Sequence, residues 1–248
     1  MSGRAAAVLL AAALVVAGCG GSGDDAPAGA PTTTARGSDE TSTTTTSSTT
    51  TTAAAEACAE LPAPVGAEET TTAAVDVDGD GGDDQLVAFR VGEDWHLRVE
   101  VAAGGAVDLA MEIRPGDGVE VIGGADVDGD GADELWARVG TGASATIVGL
   151  ARFEDCALDL VRFEDGEPAE LPVGGSVGSP AGLSCEGAPD LTAYAALLGD
   201  DDVYDVVVTP YTLSEGVLVA GAPTTTTVPA DDQGVYRYAS FACGGLTL

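Results

Sequence analysis

The chain has 248 residues, with 41 acidic side chains, nine arginines, no lysine and one histidine, for a formal net charge of -32. A polyanion of this size argues against nucleic acid and anionic lipid as partners, because both repel it, and fits cation binding. With no lysine there is no P-loop lysine and no Schiff base, and with no cluster of Cys and His there is no zinc site.

Residues 1–18 read as a signal peptide. Arg4 supplies the positive start, and "AAAVLLAAALVVAG" is an apolar run of about 14 residues, too short for a spanning helix of ~20. It ends in "VAGC", which resembles the lipobox of bacterial lipoproteins. That resemblance implies cleavage before Cys19 and lipid modification of Cys19. The chain would then sit at the cell membrane on its extracytoplasmic face, touching the bilayer only through this lipid. Residues 19–56 form the tether. Its core, "TSTTTTSSTTTT", offers no apolar surface to offset the entropy of ordering, so the segment is predicted to be disordered. Ser, Thr and Pro also make it an O-glycosylation candidate. Asp24 and Asp25 read here as solubilising.

Setting Cys19 aside, Cys58, Cys156, Cys185 and Cys243 remain. An even number in an exported chain suggests two disulfides. Three pairings are possible, and Cys58–Cys156 with Cys185–Cys243 is the favoured one.

The folded part reads as all-β. "DWHLRVEV" alternates Trp95, Leu97, Val99 and Val101 against His96, Arg98 and Glu100, the period of a half-buried strand. "QLVAFRV", "ELWARV", "TIVGLARF", "ALDLVRF" and "YDVVVTPYTL" also read as strands, and "LTAYAALL" is ambiguous. Trp95 is in phase with the core positions. Trp136 adjoins Leu135 and is the better candidate for an exposed ring facing a glycan or partner. The opening leucines of successive units, Leu86, Leu135 and Leu191, are 49 and 56 residues apart. Such a spacing predicts propeller-like blades in about three repeats of roughly 50 residues. Residues 57–166 hold the first two. Residues 167–248 hold a degenerate third and a C-terminal strand, with "VGSPAGLSCEGAPDL" where an acidic loop would be.

The acidic loops are "DVDGDGGDDQL" from Asp76 and "DVDGDGADELW" from Asp126. Positions 1, 3, 5 and 9 are Asp76, Asp78, Asp80 and Asp84 in the first loop, and Asp126, Asp128, Asp130 and Glu134 in the second. Position 7, Gly82 or Ala132, can offer a carbonyl. Glycines at positions 4 and 6 let the chain turn so that alternate carboxylates converge. An all-oxygen set of this size suits calcium, which takes six to eight oxygens in adaptable geometry; magnesium demands a tighter octahedron and keeps its water. Two Ca²⁺ sites are therefore expected, one per loop. Asp83 and Asp133, at position 8, are expected to point away from the ion and brace the turn. An EF-hand needs Glu at position 12 and flanking helices; Val87 and Ala137 stand there, inside predicted strands. An acid at position 9 followed by a strand resembles instead the FG-GAP or VCBS-type repeats of integrin α-subunit propellers. That resemblance is tight over residues 74–91 and 124–139. It implies calcium-binding hairpin turns between strands of neighbouring blades.

"GGSVG" around Ser176 matches the nucleophile pattern G-x-S-x-G, but the one histidine, His96, precedes it and no helix is predicted after it. The chain is therefore expected to be a non-catalytic binding, adhesion or structural envelope module, with a protein or glycan as possible ligand. The alternative is a surface hydrolase of glycosidase type that uses a carboxylate pair not singled out by the sequence.

Overall fold

The computed structural model describes residues 58–185 and 190–248. The expected signal peptide, Cys19, the expected tether and the acids within it lie outside these residues. Among the described residues no helix is long and apolar enough to cross a membrane.

The fold is all-β. Strands β1 (Glu68–Val75), β2 (Asp84–Val91), β3 (Asp94–Glu100) and β4 (Ala106–Met111) form an antiparallel meander that is a sheet of its own. A second meander repeats it with β5 (Glu120–Ala125), β6 (Glu134–Thr141), β7 (Ala145–Glu154) and β8 (Ala157–Leu160). The corresponding closing pairs of the first hairpins, Val75 with Asp84 and Ala125 with Glu134, put the two acidic loops in the same place in each repeat.

The rest of the chain does not form a separate blade. After β9 (Arg162–Phe163) come β10 (Glu170–Ser176), β11 (Ser179–Ser184), β12 (Asp190–Leu198), β13 (Val203–Ser214), β14 (Val217–Ala220) and β15 (Thr224–Pro229). A 3₁₀ turn at Gln233–Ala239 leads to β16 (Phe241–Cys243) and β17 (Leu246–Thr247). Strand β7 is long enough to hold two partners on one edge: β8 along Ala151–Glu154 and β10 along Ala145–Gly149. The second meander and the C-terminal strands are therefore one continuous sheet, and among the described residues it closes neither a barrel nor a propeller. Within residues 167–248 the strands open with β10 and β11, so part of the segment read as a lost loop is strand. The ambiguous "LTAYAALL" is strand β12, paired along its length with β13.

Burial explains this arrangement. One core cluster joins Leu86, Leu97 and Val99 of the first sheet to Leu135, Ala137 and Val139 of β6. A second holds Trp136, Val148 and Leu150 against Leu183, Leu191, Leu218 and Phe241. Strand β6 is thus covered on both faces, with each fully buried Leu or Val contributing about 1.5–3 kcal/mol. Trp136, expected at the surface, is 0% exposed and meets Phe241 edge-on at 5.1 Å between ring centroids. Alternation showed that Leu135 and Trp136 point opposite ways, but not that both directions lead inward. Trp95 lies in the first core, 7% exposed.

The polar face of β3 is also covered at its centre, while Glu100 stays exposed. Arg98, 1% exposed, pairs with Asp108 at 2.7 Å and donates to the Pro62 carbonyl at 2.9 Å, so the segment before β1 crosses over it. Gly105 permits that crossing: a Cβ there would meet the Cys58 carbonyl oxygen at 2.3 Å. Disulfides join Cys58 to Cys156 and Cys185 to Cys243, the favoured pairs, with Cα separations of 5.5 and 4.5 Å. The first ties the covering segment to the β7–β8 turn, where Asp155 and Cys156 hold the left-handed φ values of 50° and 58°. The two links span 98 and 58 residues, and removing loop entropy on this scale from the unfolded chain is worth about 4–5 kcal/mol each.

Candidate metal sites

Each acidic loop is a hairpin connection within its own sheet, β1 to β2 or β5 to β6, not a link between strands of neighbouring layers. No helix flanks either loop, and Val87 and Ala137 lie in strands, so the EF-hand is excluded by topology as well as by its missing Glu.

Local hydrogen bonds explain the loop shape. Gly81 donates its N–H to Asp76 Oδ2 at 3.0 Å, and Gly131 donates to Asp126 Oδ2 at 3.2 Å. Asp80 donates to Asp78 Oδ1 and Asp130 to Asp128 Oδ1. Gly82 and Ala132, expected to supply carbonyls, are seen donating their N–H to Asp80 and Asp130 Oδ1 at 2.6 and 2.8 Å. The position-9 acid reaches back across each loop: Asp84 Oδ2 accepts from Val77 N–H at 3.0 Å, and Glu134 Oε2 accepts from Val127 N–H at 2.8 Å. The same donors and acceptors recur at the same positions 50 residues apart. The turns need glycine: Gly79, Gly81, Gly129 and Gly131 have φ of 67°, 83°, 79° and 98°.

Carboxylate oxygens of Asp76, Asp78 and Asp84 lie within 4.8 Å of one another, and so do those of Asp126, Asp128 and Asp130. Either group could hold a metal ion. Asp80 in the first loop and Glu134 in the second, both expected as ligands, stand outside these groups, each bonded to the loop backbone instead.

The electrostatics favour a cation. Burial, with the like charges of Asp84, Asp80 and Asp76, raises the Asp78 carboxyl above its ordinary range. Asp128 is raised by burial and by Asp130 and Asp126. Glu134, 4% exposed, is pushed up to about 7, chiefly by burial and then by Asp128, Asp130 and Asp126. Asp76 Oδ1 is buried and has no hydrogen-bond partner among the described residues. An orphaned buried oxygen beside two other carboxylates leaves a lone pair for an ion to satisfy. The donor set is wholly oxygen, so a hard divalent cation fits and a thiolate- or imidazole-seeking metal does not.

The two loops also touch. Asp133 N–H donates to the Asp76 carbonyl at 2.7 Å, and Asp76 N–H donates back to Asp133 Oδ2 at 3.0 Å. Gly79 lies against Gly131, where an added Cβ would be 3.1 Å from the Gly131 oxygen. Asp133, expected to brace its own turn, braces the other loop. Nothing local in the sequence signals a contact between residues 57 positions apart.

Ser176 does not stand at a strand-to-helix elbow. It ends β10 in the tight turn to β11, with its Oγ 3.0 Å from Ser179 Oγ. His96 is on β3 of the other sheet, stacked on Phe89 at 5.1 Å. No protein-family model, curated protein or solved structure matches this chain.

Proposed function

We propose that the chain is a non-catalytic, lipid-anchored extracytoplasmic binding module whose paired β-meanders are clamped by two calcium ions. The observation that carries this reading is the recurrence of one loop geometry at two positions, with an unpaired buried oxygen in the first. Asp76, Asp78 and Asp84 would hold one ion, with Asp80 and the Gly82 carbonyl within the same loop. Asp126, Asp128 and Asp130 would hold the other, with Glu134 and the Ala132 carbonyl. The resemblance to FG-GAP and VCBS-type repeats supports the choice of calcium, and the meander with a loop between its first two strands is compatible with such a repeat.

Bound ions would neutralise charge that the fold otherwise holds together against repulsion. Anything that binds the folded state alone stabilises it by mass action. A dissociation constant on the order of 10⁻⁴ to 10⁻³ M, usual for extracellular calcium modules, is enough for that role. The test is titration calorimetry with calcium and then magnesium, beside melting curves with and without chelator. Calcium uptake near two equivalents with a chelator-sensitive melting temperature is expected. No uptake at millimolar calcium overturns the reading.

A further inference from the structure

Strand β7 changes partner between Gly149 and Ala151, from β10 to β8, while the chain between β8 and β10 makes its excursion through β9. The change leaves a cleft of about 500 Å³ between β4 of the first sheet and the β8–β10 region of the second. Its floor is apolar, with Leu109, Met111 and Leu160. Its rim carries four exposed carboxylates, Glu112, Asp159, Glu167 and Glu170. Arg162 is the one cation lining it, and its Nη1 is engaged by the Gly166 carbonyl at 2.8 Å. One wall is β4, whose outer edge is taken at Ala106 by the Ala59 carbonyl but among the described residues has no strand partner from Asp108 to Met111, leaving backbone donors and acceptors open there.

We propose that this cleft binds an extended peptide segment of a partner protein, added as a strand to the free edge of β4. Alternate apolar side chains would fill the floor, and Lys or Arg at the flanks would meet the carboxylate rim. Strand addition draws affinity from main-chain hydrogen bonds and specificity from pockets for alternate side chains, and the cleft offers both beside one edge. Charge fixes the sign of the partner, because an acidic segment would be repelled by the rim and by the chain's net charge of -32. The inference names a partner class for the binding role proposed above. It makes no use of the acidic loops, so its failure would leave the calcium test standing, and the reverse.

The probe is a short synthetic peptide that alternates Val with Thr between flanking lysines, titrated against the full chain at about 0.15 M salt, where general charge attraction is largely screened. Three results are expected. The peptide binds and slows amide exchange across Asp108–Met111. The same peptide N-methylated at alternate residues, with its charge intact, loses at least about tenfold in affinity, because it cannot pair with an edge. The Glu167→Gln/Glu170→Gln variant, altered only at exposed positions, loses about tenfold as well. Failure of the parent peptide to bind at millimolar concentration overturns the proposal. So does equal binding by the N-methylated peptide, which would mark simple polyelectrolyte attraction, or unchanged affinity in the Gln variant.

Discussion

The two acidic loops place carboxylates at the same sequence positions but are finished differently. Asp84, the shorter side chain, ends the first loop and is held at both oxygens, by Val77 N–H at 3.0 Å and by Ala102 N–H at 2.7 Å from the β3–β4 turn. Glu134 ends the second loop, equally buried at 4% exposure, and among the described residues accepts from Val127 N–H alone. Donors aimed at a carboxylate keep it charged without an ion; burial with fewer donors raises its affinity for a proton. The second loop therefore depends more on a neutralising partner than the first. It also supplies the link between them, through Asp133.

The largest effect should come from breaking both loops together. In saturating calcium the parent gains a melting-temperature increment on the order of 10 °C, from two sites each contributing a few kcal/mol. Asp78→Ala/Asp128→Ala should lose nearly all of it. If the double variant keeps the chelator response, the ions are bound elsewhere.

Single changes at position 9 sharpen the contrast, measured by denaturant melts in chelator. Asp84→Asn should destabilise by about 2 kcal/mol, since an amide cannot accept from two N–H groups with both of its polar ends. Glu134→Gln should cause no such loss, or a small gain, because it removes a poorly compensated buried charge. Equal losses in the two variants would erase the distinction drawn here.

The pH dependence of the calcium-free protein follows from the same asymmetry. Glu134 has a folded pKa raised to about 7 from 4.5, so the folded state binds its proton more tightly than the unfolded state does. That contribution is complete below the unfolded value and is lost as pH climbs through the folded one, by roughly 3 kcal/mol in all. Stability should fall between about pH 4.5 and 7, with Glu134→Gln flattening much of the slope. Calcium competes with the proton, so affinity at the second loop should rise over the same interval.

The smallest expected effect is that of Asp133→Ala, about 1 kcal/mol from the lost acceptor for Asp76 N–H. Its value lies in where it is felt. Calcium binding at the first loop should weaken, although the altered residue belongs to the second; a change confined to the second loop would show that the contact does not couple them.

The acidic loops were legible because most of what shapes each turn is local. Glycines at positions 4 and 6, and carboxylates that bond N–H groups two to seven residues away, are fixed by spacing alone. The strands were legible from alternation for the same reason. What misled was distance. Arg98 alternates onto a polar face, but the segment around Pro62 lies 36 residues earlier and covers it. Trp136 reads as outward because its neighbour reads as inward, yet a second core from residues 183–241 waits on that side.

The sequence by itself therefore determined an all-β chain, the conformation of two acid-rich turns and the convergence of carboxylates that a cation would relieve, since these follow from dihedral freedom, side-chain period and like-charge repulsion over a few residues. Tertiary structure alone decided that β7 would be shared by β8 and β10, that β6 would be buried on both faces, and that Asp133 would clasp the opposite loop. These are choices among long-range pairings, and a single chain's local pattern is satisfied equally well by several of them until cores form and select one.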